Sequence, residues 1–213
     1  MRLEAALPII EKIIGIPFSE LYSSGELKDI KIAKGNTGKL LEKIIGLPPG
    51  NTLKDFEDGE LKTNKCDSKG NPMETMFISQ LSKRFDELLD LNLSFEDSWI
   101  YNKIKRLVYV PVVKVDKNPN NWYFLGFKFI EITHDSKLFA QLRDDFNQIK
   151  IKIIEDVEKN DKYIHTSSGK FIQIRTKDAK PYTPIKSKIL NREVSNKNFA
   201  FYFKKDFMRA IYP

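Results

Sequence analysis

An aspartate, a glutamate and a lysine lie close together in the segment Lys54–Lys62, in an order that suits metal-assisted hydrolysis. Glu60 follows Asp55 by five positions, and one residue separates Glu60 from Lys62. Alternate side chains of a strand share a face, so Glu60 and Lys62 would point together while Leu61 points to the core. If the chain bends before this strand, Asp55 can converge on Glu60. Two carboxylates would then offer the oxygen ligands that Mg²⁺ prefers, with Lys62 beside the water to be activated.

The same residues also have an ordinary structural interpretation. Asp, Glu and Lys are abundant in this chain, and a Glu-x-Lys sequence is common on the solvated face of a strand. A further acid, Glu42, lies on a helix that is capped by Asn36 or Thr37 and ends before Gly46. Glu42 could reach the metal site, or it could form a surface ion pair with a neighbouring lysine of its own helix. The residues by themselves leave both alternatives open.

Apolar periodicity and turn residues predict a mixed α/β fold around these candidates. The pattern predicts helices at residues 3–16, 36–45 and, with apolar residues every three or four positions, 138–157. It predicts strands at residues 60–64, 75–81, 105–115, 122–133, 170–175 and 199–203, followed by a helical turn from Lys205. Asn118 to Asn121 read as a hairpin turn. We find no internal repeat or long linker, so residues 1–213 are expected to form one domain.

The positive charge of the chain is concentrated near its C-terminal end. The 213 residues carry 36 Lys and Arg against 29 Asp and Glu, a net charge of +7. Residues 161–213 hold 12 basic and 4 acidic residues, a net of +8, which leaves −1 for the first 160. Phenylalanines interleave with the cations of this segment, so a folded basic surface is expected. Such a surface favours a polyanionic partner such as nucleic acid.

Several classes of protein are not supported by the sequence. Cys66 is the single cysteine and cannot form an internal disulfide, and the first residues lack the pattern of a secretory signal. The longest apolar run, Leu107–Val113, contains Pro111 and is far shorter than the roughly 20 residues that span a bilayer. We therefore expect a cytoplasmic protein without membrane contact. No glycine-rich phosphate loop is present, so nucleotide hydrolysis has no support.

Seven segments of the sequence, which together span nearly the whole chain, carry more information than the Asp-Glu-Lys pattern alone. The segments are Lys34–Glu42, Asp55–Phe56, Gly59–Thr63, Asp67–Phe77, Asn102–Val112, Gly169–Lys177 and Phe201–Lys205. In order and in most spacings they resemble the MutH-like DNA endonucleases, a family of mismatch repair nickases and GATC-cutting type II restriction endonucleases. The resemblance implies a PD-(D/E)xK fold, a restriction-endonuclease-like mixed sheet flanked by helices. It also implies a catalytic lobe at about residues 1–115 and a basic DNA-recognition lobe at about 116–213.

The resemblance assigns roles to individual residues. Asp55 and Glu60 would bind Mg²⁺, Glu42 would complete the acidic cluster, Lys62 would assist the attacking water, and Lys103 would lie near the scissile phosphate. The DNA-binding residues that it implies are Lys34, Phe77, Arg175, Lys177, Tyr202, Lys204 and Lys205. Among these, Arg175 and Lys177 would approach bases or backbone, and Tyr202 would lie where adenine methylation is sensed. An arginine can bind guanine through two hydrogen bonds, and an aromatic edge can exclude a methyl group.

The sequence departs from the family pattern at two places. The gap between Asp55 and Glu60 is about two residues shorter than in the relatives, which makes Asp58 an alternative to Asp55 as the metal ligand. Thr176 stands between Arg175 and Lys177 where the family has proline. A threonine keeps a backbone donor and more conformational freedom, so the preferred DNA site could differ from GATC.

From these features we expect a magnesium-dependent DNA endonuclease whose partner is double-stranded DNA. Lysines outnumber arginines 29 to 7, which suggests an AT-rich genome and favours a type II restriction enzyme. One domain holds one active site, so a double-strand cut would need a second protomer or a second event. The alternative is a MutH-type nickase of hemimethylated GATC, which would work with a mismatch repair partner. A non-catalytic DNA-binding or allosteric module is the remaining alternative.

Overall fold

The computed structural model describes residues 1–32, 36–48, 54–159 and 163–212. The chain forms two compact α/β units that interleave in sequence. The first unit contains residues 1–76, 103–131 and the chain from Met208; the second contains 77–102 and 132–207. This division differs from a boundary at residue 115, because an early strand that begins at Met76 joins the same sheet as the late strand Phe199–Phe203.

Seven α-helices, two short 3-10 helices at Phe85–Leu89 and Pro119–Asn121, and twelve strands are assigned in the described residues. The helices are α1 (Leu3–Glu11), α2 (Phe18–Leu21), α3 (Ser24–Ile32), α4 (Asn36–Ile45), α5 (Trp99–Ile104), α6 (Lys137–Glu158) and α7 (Lys205–Ile211). The strands are β1 (Glu60–Lys62), β2 (Lys65–Cys66), β3 (Met76–Gln80), β4 (Arg106–Tyr109), β5 (Val112–Val113), β6 (Tyr123–Phe124), β7 (Lys128–Glu131), β8 (Ser167–Ser168), β9 (Ile172–Thr176), β10 (Ile185–Ser187), β11 (Arg192–Ser195) and β12 (Phe199–Phe203). None of the described helices combines the length and apolar character needed to cross a membrane.

The first unit is built on two short three-stranded sheets. Strand β1 pairs in parallel with β4, and β4 pairs antiparallel with β7. Further along the same chain segments, β2, β5 and β6 repeat that arrangement. The expected strand at 105–115 is therefore split at Pro111, which has no N–H for a ladder hydrogen bond. The strand expected at 122–133 is likewise split, between Phe124 and Lys128.

Helices α1 and α4 cover this sheet with their apolar faces. Leu3, Ile10, Leu41, Ile45 and Val108 are members of one buried cluster. The observed α4 matches the predicted helix at 36–45. Helix α1 ends at Glu11, earlier than the expected residue 16. The chain turns there because Gly15 adopts a φ of +74° and donates its N–H to the carbonyl of Phe124 at 2.8 Å.

The second unit contains a four-stranded sheet in the order β3-β12-β9-β8, with α6 packed against it. Every residue of β12 is buried, as expected for a strand covered on both faces. Helix α6 matches the predicted long amphipathic helix and contributes Phe139 and Phe146 to an aromatic core. Their rings each lie 5.5 Å from that of Phe95, and Phe146 stacks against Phe201.

One buried carboxylate fixes the turn that leads into β9. Asp145 lies on α6 and is 1% exposed. Its oxygens accept hydrogen bonds from the backbone N–H groups of residues 170–172 at 2.9, 2.5 and 3.0 Å, and from Gln141 at 2.9 Å. Gly169 is required beside it, because a Cβ at that position would overlap the carboxylate. The sequence pattern did not identify Asp145, which stands three residues after the buried Leu142 on the apolar stripe of α6.

We expect Asp145→Ala to lower the free energy of unfolding by about 2 kcal/mol or more. The substitution removes the acceptor of several buried donors, and each unsatisfied donor costs roughly 1–3 kcal/mol. Chemical denaturation measures the difference. Asp144→Ala is the matched control, because the neighbouring side chain is 60% exposed and its loss should change stability by less than about 0.5 kcal/mol. Equal stability of the two variants would contradict this role of Asp145.

Candidate active site

The Glu60–Lys62 strand has the alternation that the sequence predicts. Leu61 is buried in the core at 6% exposure. Glu60 and Lys62 point to the other face of β1, where the Lys62 ammonium lies 2.5 Å from Oε1 of Glu60. The pairing is not that of a solvated strand face, because the two side chains are 2% and 12% exposed. An acid and a cation are thus held together away from solvent.

Lys103 approaches the same carboxylate from α5. Its Nζ lies 2.7 Å from Oε1 of Glu60, and its side chain is 12% exposed. The strand expected at 105–115 begins at Arg106, and Lys103 lies before it, near the end of helix α5. Glu60 Oε1 is therefore shared by two ammonium groups. Glu60 Oε2 is buried and has no hydrogen-bond partner in the described part of the chain.

Asp55 and Glu42 lie near this centre. Asp55 Oδ2 accepts a hydrogen bond of 2.9 Å from the backbone N–H of Leu61, which fixes the bend before β1. Glu42 on α4 is half-buried. Burial and the negative charges of Asp55 and Glu60 raise the pKa of Glu42, while Lys62 lowers it. Of the two alternatives for Glu42, the position near the other acids is the observed one; Lys43 pairs with Glu26 instead.

The fit of these residues to a metal ion is partial. An unpartnered, buried carboxylate oxygen on Glu60 next to Asp55 matches the hard oxygen donors that Mg²⁺ takes. Within residues 1–32, 36–48, 54–159 and 163–212, however, no three His, Cys, Asp or Glu side chains are close enough to hold a metal ion. Glu60 faces Lys62 and Lys103 instead. Asp55 and Glu60 can therefore serve as the first two ligands, and Glu42 would need to move to become a third.

Asp58, the alternative to Asp55, has other partners. Its Oδ1 accepts a hydrogen bond of 2.8 Å from the backbone N–H of Leu3, and its Oδ2 lies 2.6 Å from Nη1 of Arg106. Both oxygens are thereby used to attach the start of α1 to β4. Asp55, whose backbone contact is to β1 itself, is the better candidate for the metal.

Four of the predicted DNA-binding residues meet in the second unit. Phe77, Tyr202 and Arg175 lie on the neighbouring strands β3, β12 and β9, and Lys177 directly follows β9. The Arg175 guanidinium lies 4.7 Å from the centre of the Tyr202 ring, and Lys177 Nζ lies 4.2 Å from that of Phe77. The two rings meet edge to face at 5.8 Å. We call these four residues the recognition cluster.

The cations of the recognition cluster are exposed while Tyr202 is nearly buried, at 8% exposure. Burial raises the pKa of the Tyr202 hydroxyl, and the adjacent Arg175 partly offsets that effect. The tyrosine is therefore neutral over the physiological range and can donate a hydrogen bond. Positive charge held over an aromatic ring is worth roughly 0.5–1 kcal/mol at an exposed site, which limits the motion of both cations.

The remaining predicted DNA-binding residues are placed differently. Lys204 Nζ donates a hydrogen bond of 2.8 Å to the carbonyl of Gly169, so this side chain supports the turn held by Asp145. Lys205 is the first residue of α7 and is half-exposed. Lys34 lies outside the described residues. DNA contact by these three lysines stays a prediction.

Comparison with curated proteins identifies DNA mismatch repair proteins as relatives. The chain is 31% identical over 190 residues to the DNA mismatch repair protein MutH of Buchnera aphidicola, covering 84% of this chain and 80% of the relative. It is 28% identical over 210 residues to MutH of Klebsiella pneumoniae, with 89% and 84% covered. For MutH of Haemophilus influenzae the identity is 26% over 218 residues, with 98% and 93% covered. No family model matches the chain.

We expect Asp58→Asn to destabilise the protein by roughly 1.5–3 kcal/mol at pH 7, the usual range for hydrogen bonds to a charged group. Burial raises the pKa of Asp58, but the Leu3 N–H and the charges of Arg106 and Arg2 outweigh it and lower that pKa below 3.8. A lowered pKa adds stability above the unfolded-state value, and this stability is lost as the pH falls through the folded-state value. Unfolding measured at several pH values should therefore show the difference between variant and wild type shrink below about pH 3.8. A pH-independent difference would contradict the ionised state of Asp58.

Proposed function

Because the chain belongs to the MutH family of DNA endonucleases, we propose that it is a magnesium-dependent nickase that cuts one strand of duplex DNA at hemimethylated GATC in mismatch repair. Endonuclease activity on DNA follows from the family itself. The metal, the sequence, the methylation state and the repair role are proposals. They rest on the active-site geometry, on the recognition cluster and on the repair proteins to which the chain is similar.

The sequence favours a restriction enzyme over a repair nickase, and the relatives reverse that preference. The preference for a restriction enzyme rested on the excess of lysine over arginine, which reflects genome composition and has no bearing on how a phosphodiester is cut. The curated relatives reported above are named as mismatch repair proteins. Repair therefore becomes the main proposal, and restriction becomes the alternative.

The buried Glu60 carboxylate carries the catalytic proposal. Burying a carboxylate that is 1% exposed costs free energy, and among the described residues one of its oxygens lies between two ammonium groups while the other has no hydrogen-bond partner. Such arrangements of buried charge are concentrated at functional sites. In the proposed enzyme Asp55 and Glu60 hold Mg²⁺ in a PD-(D/E)xK site, and Glu42 approaches to complete the acidic set. The metal ion would lower the pKa of a bound water and neutralise charge on the phosphate.

The two lysines have separate tasks in this mechanism. Lys62, on the strand of Glu60, orients the attacking water and stabilises the negative charge that develops during attack. Lys103 comes from a different element, α5, and is assigned to the scissile phosphate. Both ammonium groups neutralise Glu60 in the structure. Positive charge supplied by a bound metal ion would take over part of that role, and the anionic phosphate of the substrate would then compete with Glu60 for the two lysines.

The recognition cluster provides the proposed sequence reading. The Arg175 guanidinium can donate two hydrogen bonds to a guanine in the major groove. Tyr202 limits the position of the Arg175 guanidinium. It also presents an aromatic edge to the adenine whose methylation state is recognised. Lys177 over Phe77 would meet a base or a phosphate. Thr176 replaces the family's proline and keeps a backbone N–H donor in this segment. The bases that the protein accepts next to its recognition sequence can therefore differ from those of the family.

The number of active sites favours a nick. The residues assigned to catalysis belong to one unit of one chain, which can attack one strand per binding event. A restriction enzyme would require a second protomer on the DNA or a second visit. The proposed role also includes a mismatch repair partner and a cytoplasmic location with the chromosome.

We expect Glu60→Gln to reduce cleavage of GATC-containing plasmid in Mg²⁺ by at least about a hundredfold, because it removes a metal ligand and its charge. Duplex binding in the absence of metal should be retained. Nicking assays and binding titrations on the same preparation measure both. Glu57→Gln is the matched control from the same segment; Glu57 is 68% exposed, and cleavage should be unchanged. A Glu60→Gln variant that cleaves like wild type would exclude the assigned active site.

Plasmids with unmethylated, hemimethylated or fully methylated GATC distinguish the two roles. We expect single nicks in the unmethylated strand of the hemimethylated plasmid, because Tyr202 excludes the methyl group from the strand that is read. Gel separation of nicked from linear product is the measurement. Linear product from unmethylated plasmid, formed without any added partner protein, would instead support the restriction alternative.

A further inference from the structure

We propose a second DNA-contact site on this chain, formed by Lys197, Tyr163 and Tyr182, that binds phosphates of the duplex beside the recognition sequence. The proposal rests on the proposed endonuclease function. It concerns the length of DNA that the protein contacts, which the active site and the recognition cluster do not determine. We call these three residues the flanking site.

The flanking site places one cation next to two exposed aromatic rings. Lys197 Nζ lies 5.7 Å from the centre of the Tyr163 ring and 5.1 Å from that of Tyr182. The tyrosines are 43% and 42% exposed. Single exposed apolar residues are common on protein surfaces, but tyrosines that are grouped together are typical of binding interfaces. Here they are grouped around a positive charge.

Hydrogen bonds hold the backbone of this site in place. The Asp178 carboxylate accepts from the N–H groups of Ala179, Thr183 and Asn198 at 3.0, 2.7 and 2.9 Å. These bonds, that of Asn198 above all, lower the pKa of Asp178. The Asp178 carboxylate therefore binds the backbone N–H groups that position the flanking site. Ser195 adds bonds to both the N–H and the carbonyl of Lys197, at 3.3 and 2.8 Å.

The flanking site continues the strand end from which the recognition cluster projects. The N–H of Lys177 donates a hydrogen bond of 2.9 Å to the carbonyl of Asn198, directly after Lys197. The next residue pair, Thr176 and Phe199, belongs to the β9–β12 ladder. A duplex bound by Arg175 and Lys177 would thus meet Lys197 close to its recognition sequence. This continuity, together with the positive charge, favours DNA over a protein partner.

Phosphate is the group that this chemistry recognises. Lysine ammonium and tyrosine hydroxyl groups both donate to phosphate oxygens, and such contacts position a duplex without reading its sequence. The rings restrict the long Lys197 side chain, which reduces the entropy lost when it binds. The site should therefore contribute to affinity for any duplex that extends past the recognition sequence, and to its salt dependence.

The test is a salt titration of duplex binding by full-length Lys197→Gln in EDTA, where cleavage cannot occur. Loss of one phosphate contact should reduce the slope of log K against log salt by about 0.9. Between 50 and 200 mM salt, wild type should therefore lose roughly three- to fourfold more affinity than the variant. A duplex trimmed to the recognition sequence should abolish the difference, because the flanking phosphates are then missing.

Lys137→Gln is the matched control. Lys137 is exposed and begins α6, whereas Tyr163 follows the other end of this helix of 22 residues. At 1.5 Å per residue the helix is about 33 Å long, so Lys137 lies far from the flanking site and its loss should leave the slope unchanged. A second variant, Tyr163→Leu with Tyr182→Leu, should weaken binding to the long duplex while Lys197 keeps its charge.

Each outcome has a defined meaning. If Lys197→Gln has the wild-type slope on the long duplex, Lys197 contacts no phosphate and the flanking site is overturned. If the slope falls equally on the trimmed duplex, Lys197 belongs to recognition and the flanking assignment is wrong. If wild type neither binds nor nicks GATC duplex, the proposed function fails instead.

Discussion

The buried charge of Glu60 is the constraint around which the first unit is organised. An isolated carboxylate in a protein interior is strongly unfavourable, and here it is tolerated because ammonium groups from β1 and α5 neutralise it. The parallel pairing of β1 with β4 brings these elements together, since α5 ends two residues before β4 begins. A metal ion would compete for the same carboxylate. Oε2 of Glu60, which has no hydrogen-bond partner among the described residues, would be available to such an ion.

In the second unit, exposed cations are held in defined positions. Strand β12 supplies the rigid base, because all of its residues are buried. Arg175 and Lys177 are then limited by the aromatic rings of Tyr202 and Phe77. Asp145 fixes the turn before β9, so the register of this strand is set at its start. Long basic side chains lose less entropy on binding when they are restrained in this way.

The proposed division of roles between the two units is compatible with either repair or restriction. In the proposed enzyme, hydrolysis uses the carboxylates and lysines of the first unit, and sequence choice uses the recognition cluster of the second unit. Neither requirement dictates whether one strand or two are cut. In the proposed enzyme that outcome would depend on how many protomers reach the DNA and on which methylation state Tyr202 accepts. The likeness to mismatch repair proteins supports the proposed repair role.

Structural features that depend only on residues close together in the chain can be predicted from the sequence. Helix α4, helix α6 and the shared face of Glu60 and Lys62 follow from periodicity, which is a local property of the chain. Three features were decided by tertiary structure. Lys103 reaches Glu60 from a helix, Arg106 binds Asp58 and leaves Asp55 as the candidate ligand, and residues 77–102 group with the C-terminal strands. Each depends on contacts between segments far apart in sequence, and pairing across such distances leaves no periodic signal in either segment.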